Sequence, residues 1–129
     1  MNDKTQASIG KLTRALGRLD EALRQASDSP DSIVIDATIQ RFEFSFELCW
    51  KAVKNALGEV GLESNSPREA VKMAYQAHWI VNEGVWLNML RDRNLTSHTY
   101  EEEVAQQIYA RIPEYHQEMV RLVGVIRTH

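Results

Sequence analysis

The apolar residues Ile9, Leu12, Leu16, Leu19 and Leu23 recur at steps of three and four. That spacing places them on one stripe of a helix. It predicts a first helix over Gln6–Ala26, followed by a polar turn, Ala26-Ser27-Asp28-Ser29-Pro30-Asp31-Ser32, which ends one helix and caps the next. A second helix is expected from about Ser32 to Gly61, with Ile39, Phe42, Phe46, Cys49, Val53, Leu57 and Val60 on its stripe. Phe44, Leu48 and Trp50 widen its apolar surface. A helix this broad packs against several neighbours or a second subunit. Gly58, Gly61 and the residues through Asn65 supply its stop.

Ser66-Pro67-Arg68-Glu69 is a helix start in which Ser66 is the N-cap, Pro67 takes the first helical position and Glu69 completes a capping box. A short helix follows to about His78, and Asn82 caps another that runs through Trp86, Met89 and Leu90 to about Leu95. The last helix is expected from Thr99, where Thr99 and Glu102 have capping-box spacing, with Val104, Ile108, Ile112, Tyr115, Met119, Leu122 and Ile126 on its stripe. Pro113 lies within that stripe and should kink the helix without ending it, because the period resumes in phase. There is no strand-like alternation and no internal repeat. The expected fold is all-α: an antiparallel up-and-down four-helix bundle with one extra short helix, forming a single domain over residues 1–129.

Composition narrows the chemistry more than the fold. A chain of 129 residues and 14.8 kDa has room for one core. The net charge of −3 and pI near 5.8 provide no global field for nucleic acid, so any such contact must be local. DNA and membrane are accordingly not expected as partners. No apolar run is long enough to span a bilayer, and Met1-Asn2-Asp3-Lys4 lacks the apolar core of a signal peptide, so a cytoplasmic location is expected. The single cysteine, Cys49, excludes an internal disulfide and a multi-cysteine metal site, and its apolar helix face makes it inert.

The densest group of reactive side chains is Arg93-Asn94-Leu95-Thr96-Ser97-His98-Thr99-Tyr100. Trp86, Leu90 and Arg93 step by four and three, which puts Arg93 on the otherwise core-facing stripe and in the last turn of its helix. A guanidinium there is favoured by the helix dipole, and its fork of donors suits a phosphate. His98 follows the turn and Tyr100 starts the next helix, so all three should stand at one end of the bundle. For phosphodiester cleavage, Arg93 would stabilise charge on the phosphoryl group while His98 moves a ribose hydroxyl proton, with no metal or other cofactor. The spacing alone is weakly specific. Arginines at helix ends commonly compensate the dipole, and histidines in turns are commonly plain polar residues. Glu43 and Glu47 share a face of the second helix at a mildly repulsive spacing; Lys51 is placed to relieve Glu47, and one of the two glutamates is expected to orient Arg93. His98 and Glu102 do not make a convincing metal pair, and His78, His116 and His129 are scattered.

Three runs carry a family resemblance over nearly the whole chain: Gln40-Arg41-Phe42-Glu43-Phe44-Ser45-Phe46-Glu47-Leu48-Cys49-Trp50-Lys51, then Ser66-Pro67-Arg68-Glu69, then Asp92 to Tyr100. The chain resembles HEPN-domain proteins of the nucleotidyltransferase substrate-binding type, partners of minimal nucleotidyltransferases in two-gene toxin–antitoxin modules. Their signature, Arg, four residues, His, one residue, Tyr, is matched by Arg93, His98 and Tyr100, with Asn94 fitting a commonly polar position. The resemblance implies a homodimeric, metal-independent endoribonuclease with RNA as substrate. It further implies that the cognate nucleotidyltransferase antitoxin neutralises the enzyme by adenylylating Tyr100. The alternative is a non-catalytic subunit that binds a substrate for the nucleotidyltransferase, with Arg93 and His98 as contacts.

Overall fold

A computed structural model describes residues 1–129 as five α-helices and no strand: α1 (Asp3–Asp28), α2 (Ser32–Glu59), α3 (Pro67–Gln76), α4 (Glu83–Leu95) and α5 (Glu102–Arg127), with a 3-10 turn at Thr96–His98 between α4 and α5. The helical bundle expected from the periodicity is the one observed, α3 being the short extra helix. No helix is long and apolar enough to cross a membrane.

Four helix starts have a local cause. Asn2, Asp31, Ser66 and Asn82 each accept a hydrogen bond from the backbone N–H three residues on, satisfying a donor that the helix itself leaves free. The start of α5 is different. The Thr99 hydroxyl donates back to the Thr96 carbonyl at 3.0 Å, so it stabilises the 3-10 turn and does not cap a helix. As a result α5 begins at Glu102 without a side-chain cap, and the expected Thr99–Glu102 capping box does not form. Pro113 lies inside a helix that is continuous from Glu102 to Arg127.

Two helix ends share one geometry. Gly61, at φ 83°, is left-handed, and the Leu62 N–H reaches back to the Leu57 carbonyl at 3.0 Å. His78, at φ 64°, is the corresponding residue of α3, with Trp79 N–H donating to Ala74 O at 2.9 Å and His78 N–H to Tyr75 O at 3.0 Å. These are Schellman ends. The second explains why α3 stops at Gln76 and not at His78, and it turns the buried Trp79 and Ile80 into the core. Val60, expected on the α2 stripe, is instead 49% exposed because the helix has already ended.

α1 and α2 run antiparallel, since contacts pair Asn2 with Glu59, Ser8 with Asn55 and Arg18 with Arg41. Their stripes meet that of α5 around fully buried Leu12, Leu19, Phe42, Phe46, Leu57, Ile108, Ile112 and Met119. α4 closes the bundle through a polar contact. Asp92, with no exposed surface, accepts from Arg111 Nε at 2.7 Å, from Arg111 Nη2 at 2.9 Å and from the Tyr115 hydroxyl at 2.5 Å. The Tyr115 ring in turn stacks on Phe42, with centroids 5.3 Å apart. Burial, followed by donation to Asp92, pushes the Tyr115 phenol up, and the hydrogen bond to Asp92 raises Arg111, holding it charged. A buried carboxylate is costly alone, and here the bidentate guanidinium offsets much of that cost.

Asp92→Ala strands both Arg111 and the Tyr115 hydroxyl, and should lower unfolding free energy by about 2–3 kcal/mol, the exposed side of Arg111 moderating the loss. Tyr115→Phe should cost about 1 kcal/mol. Denaturant midpoints at constant m-value measure both. At the end of α3, His78→Gly should be close to neutral, whereas His78→Val should destabilise by roughly 1–2 kcal/mol because a β-branched residue resists the left-handed backbone.

Candidate functional site

The last turn of α4 points two adjacent side chains in different directions. Asp92 enters the core, while Arg93 is half-buried, its side chain 31% exposed, and forms an ion pair with Glu47 of α2. The core-facing residue of that turn is therefore Asp92, and Arg93 sits at the edge of the stripe. The sequence periodicity had favoured Arg93, because a step of three from Leu90 and a step of three from Met89 are equally helical.

Both α2 glutamates reach this end of α4. Glu47 takes Arg93 with one oxygen and the Trp50 indole N–H with the other, at 3.1 Å. Glu43 Oε2 lies 2.8 Å from the Thr96 hydroxyl, which is also 2.8 Å from the Arg93 carbonyl. Lys51 is exposed and forms no ion pair with Glu47, whose charge is met by Arg93 instead. The two carboxylates thus attach to successive features of α4, one to its guanidinium and one to the turn that follows. Asn94 Oδ1 accepts from Arg93 Nη1 at 3.4 Å, a long contact that flanks the guanidinium on its exposed side.

His98 closes the 3-10 turn and is exposed, and Tyr100 is 79% exposed, its ring centroid 6.2 Å from that of His98. The Glu101 N–H donates to the His98 carbonyl at 3.1 Å, which fixes the backbone of the turn while leaving the imidazole to solvent. An open cleft of about 600 Å³ is lined by Gln40, Glu43, Phe44, Glu47, Leu48 and Arg93; of the Arg93, His98 and Tyr100 set, Arg93 alone lines it. Chemically this is a fixed cation at a cleft wall, followed along the chain by a freely accessible imidazole and phenol. The cation can bind an anion through donors that Glu47 does not use, since a guanidinium has five.

The remaining candidates serve the fold. His116 Nε2 lies 3.1 Å from the Leu16 carbonyl, and the His129 ring packs edge-on to Trp79 at 4.9 Å. Cys49 is fully buried, and burial pushes its thiol up, away from the reactive thiolate. No three potential metal ligands converge. The Asp92–Arg111–Tyr115 cluster that positions the site was not singled out from the sequence. Its trace is there: Tyr115 is on the α5 stripe with Arg111 four residues before it at the stripe's edge, and Asp92 is three beyond the buried Met89.

Comparison with known proteins matches the sequence and fold of this chain to one group. The family described as nucleotidyltransferase substrate binding protein like covers residues 7–126. A probable ribonuclease HepT of Haemophilus influenzae is 30% identical in an alignment 129 positions long that covers 89% of this chain and 87% of that protein. A crystal structure of a Thermus thermophilus protein superposes with a TM-score of 0.85 at 36% identity, covering 90% of this chain and 98% of the other. A second structure, from Haemophilus influenzae and titled as revealing the fold of a substrate binding domain of a nucleotidyltransferase, gives a TM-score of 0.83 at 28% identity over 92% of this chain and 98% of that one. The matched residues include Glu43, Glu47, Arg93, His98 and Tyr100, and on this match the chain belongs to the nucleotidyltransferase substrate binding protein-like family.

Proposed function

We propose that the chain is the toxin of a toxin–antitoxin pair: a homodimeric endoribonuclease that needs no metal and is silenced when a partner nucleotidyltransferase adds AMP to Tyr100. The observation that carries this reading is the Arg93 guanidinium, fixed by Glu47 at a cleft wall just ahead of the turn that exposes His98 and Tyr100. The relative named as a probable ribonuclease supports it.

In this scheme the 2′-oxygen of a ribose attacks the neighbouring phosphorus as the bond to the 5′-oxygen breaks. Arg93 stabilises charge on the phosphoryl oxygens, and His98 takes the hydroxyl proton or protonates the leaving oxygen. One imidazole cannot occupy both protonation states at once, so two copies of the chain facing each other would supply an acid and a base. The exposed Tyr100 phenol suits a modification that must reach a second enzyme's site: its oxygen attacks the α-phosphorus of ATP and pyrophosphate leaves. The attached phosphate would then compete for Arg93, and the nucleoside would crowd His98.

A second reading has its own support. The guanidinium is already neutralised by Glu47, and one matched structure is titled as a substrate binding domain of a nucleotidyltransferase. Under it, the same cleft would present a ligand to the partner without cutting anything.

Purified protein should cleave RNA in EDTA, and Arg93→Ala or His98→Ala should each reduce the rate by roughly a hundred-fold or more while the helical circular dichroism is kept. Cleavage lost in EDTA, or retained by both variants, removes the catalytic reading in favour of the binding subunit. Glu47→Gln should lower the rate about tenfold, with Glu47→Asp recovering part of it, because the guanidinium loses its anchor. Incubation with the partner nucleotidyltransferase and ATP should add AMP to wild type, seen by intact mass, and not to Tyr100→Phe. Modification of that variant would move the acceptor elsewhere.

A further inference from the structure

Lys4, Lys11, Lys51 and Lys54, four of the five lysines in the chain, line one cleft of about 330 Å³ between α1 and α2. On α1, Lys4, Ser8 and Lys11 step by four and three; on α2, Lys51 and Lys54 face them across the seam. A hydrogen bond of 2.6 Å from Asn55 to Ser8 forms the polar floor. No carboxylate lines this cleft. Every ion pair in the molecule uses an arginine, so all four exposed ammonium groups lack a carboxylate partner. In a chain of net charge −3 this is a concentrated local positive field.

The cleft adjoins the proposed catalytic site. Leu48 lines both it and the Arg93 cleft, and Trp50, on its wall, donates to the same Glu47 that holds Arg93. Lys51 and Lys54 lie four and seven residues past Glu47. At 1.5 Å per residue that is about 6 and 10 Å along α2, or roughly two to three stacked nucleotides at about 3.4 Å each. At its far end the groove meets Glu59 and Glu63, which would repel a polyanion and limit the track to the side nearer Arg93.

We infer that the α1–α2 lysine cleft is a nucleic-acid subsite that holds the phosphates of single-stranded RNA flanking the bond to be cut, with the half-buried Trp50 indole as a base-stacking wall. The choice of RNA as ligand rests on the endoribonuclease reading. Ammonium groups on flexible stems act as point charges that follow a backbone, and an aromatic among them is the pattern of sequence-tolerant single-strand binding. A protein partner would need a larger apolar centre than Leu48 and Trp50 provide.

The test is fluorescence anisotropy of a labelled single-stranded oligoribonucleotide with the full chain in EDTA, on a His98→Ala background so that nothing is cut. Replacing Lys4, Lys11, Lys51 and Lys54 together by Gln alters only exposed side chains, and retained circular dichroism checks the fold. The slope of log affinity against log salt should fall by about 0.7 for each lysine, roughly 3 in all, while Lys72→Gln, outside the cleft, leaves it unchanged. Trp50→Leu should weaken binding about tenfold. Unchanged affinity and slope in the fourfold variant, no RNA binding by the parent protein, or loss of the partner nucleotidyltransferase with RNA binding intact would each overturn the inference. Lysine-dependent binding by a protein that never cleaves RNA supports the subsite and ends the catalytic reading. Wild-type cleavage of long RNA matched in rate by the fourfold variant keeps the catalytic reading and ends the subsite.

Discussion

The Asp92 carboxylate has no contact with solvent, and everything at the Arg93 end of the bundle depends on how it is satisfied. A buried carboxylate without donors would cost more free energy than a domain of this size can spare. Three donors on α5 converge on it, two from Arg111 and one from Tyr115, and Tyr115 is itself stacked on Phe42 of α2. Three helices are thereby held in one rotational setting. With Asp92 turned inward, the helical step of about 100° leaves Arg93 nowhere to go but the α2-facing edge of the bundle, where Glu47 meets it.

α2 is the other side of the same constraint. One face of it, from Ile35 to Leu57, is core. Its flank carries Glu43 and Glu47 toward α4, and further along Lys51 and Lys54 toward α1. The breadth of this helix, visible as Phe44, Leu48 and Trp50 beside the main stripe, forms the walls of two surface clefts, where all three are half-buried. Rigidity follows from this placement: groups on long helices with buried faces hold their geometry better than groups on loops. His98 and Tyr100, on the turn, are the exception. Their exposure suits side chains that must meet other molecules, while the backbone bonds around them keep the turn itself fixed.

Much of the fold was legible in the chain because helices are local. The stripes of α1, α2 and α5, the Ser66 and Asn82 caps and the stop at Gly61 each follow from residues within a few positions of one another. The errors came where two local options compete. Thr99 can cap a helix or close a 3-10 turn, and here its hydroxyl closes the turn that links α4 to α5. His78 can extend α3 or end it in the left-handed region, and the gain from burying Trp79 and Ile80 selects the ending.

The site divides in the same way. The residues of the Arg93–Tyr100 run, their order and their position between two helices were determined by the sequence, because motif spacing and capping are short-range properties. Tertiary structure alone decided that Asp92 and not Arg93 enters the core, that Arg93 and not Lys51 meets the Glu47 charge, and that lysines 40 to 50 residues apart face one another across a seam. The reason is physical. Periodicity specifies a face only to within about a residue, whereas the choice between adjacent polar side chains is made by which of them finds donors on another helix, and that depends on contacts distant in the chain.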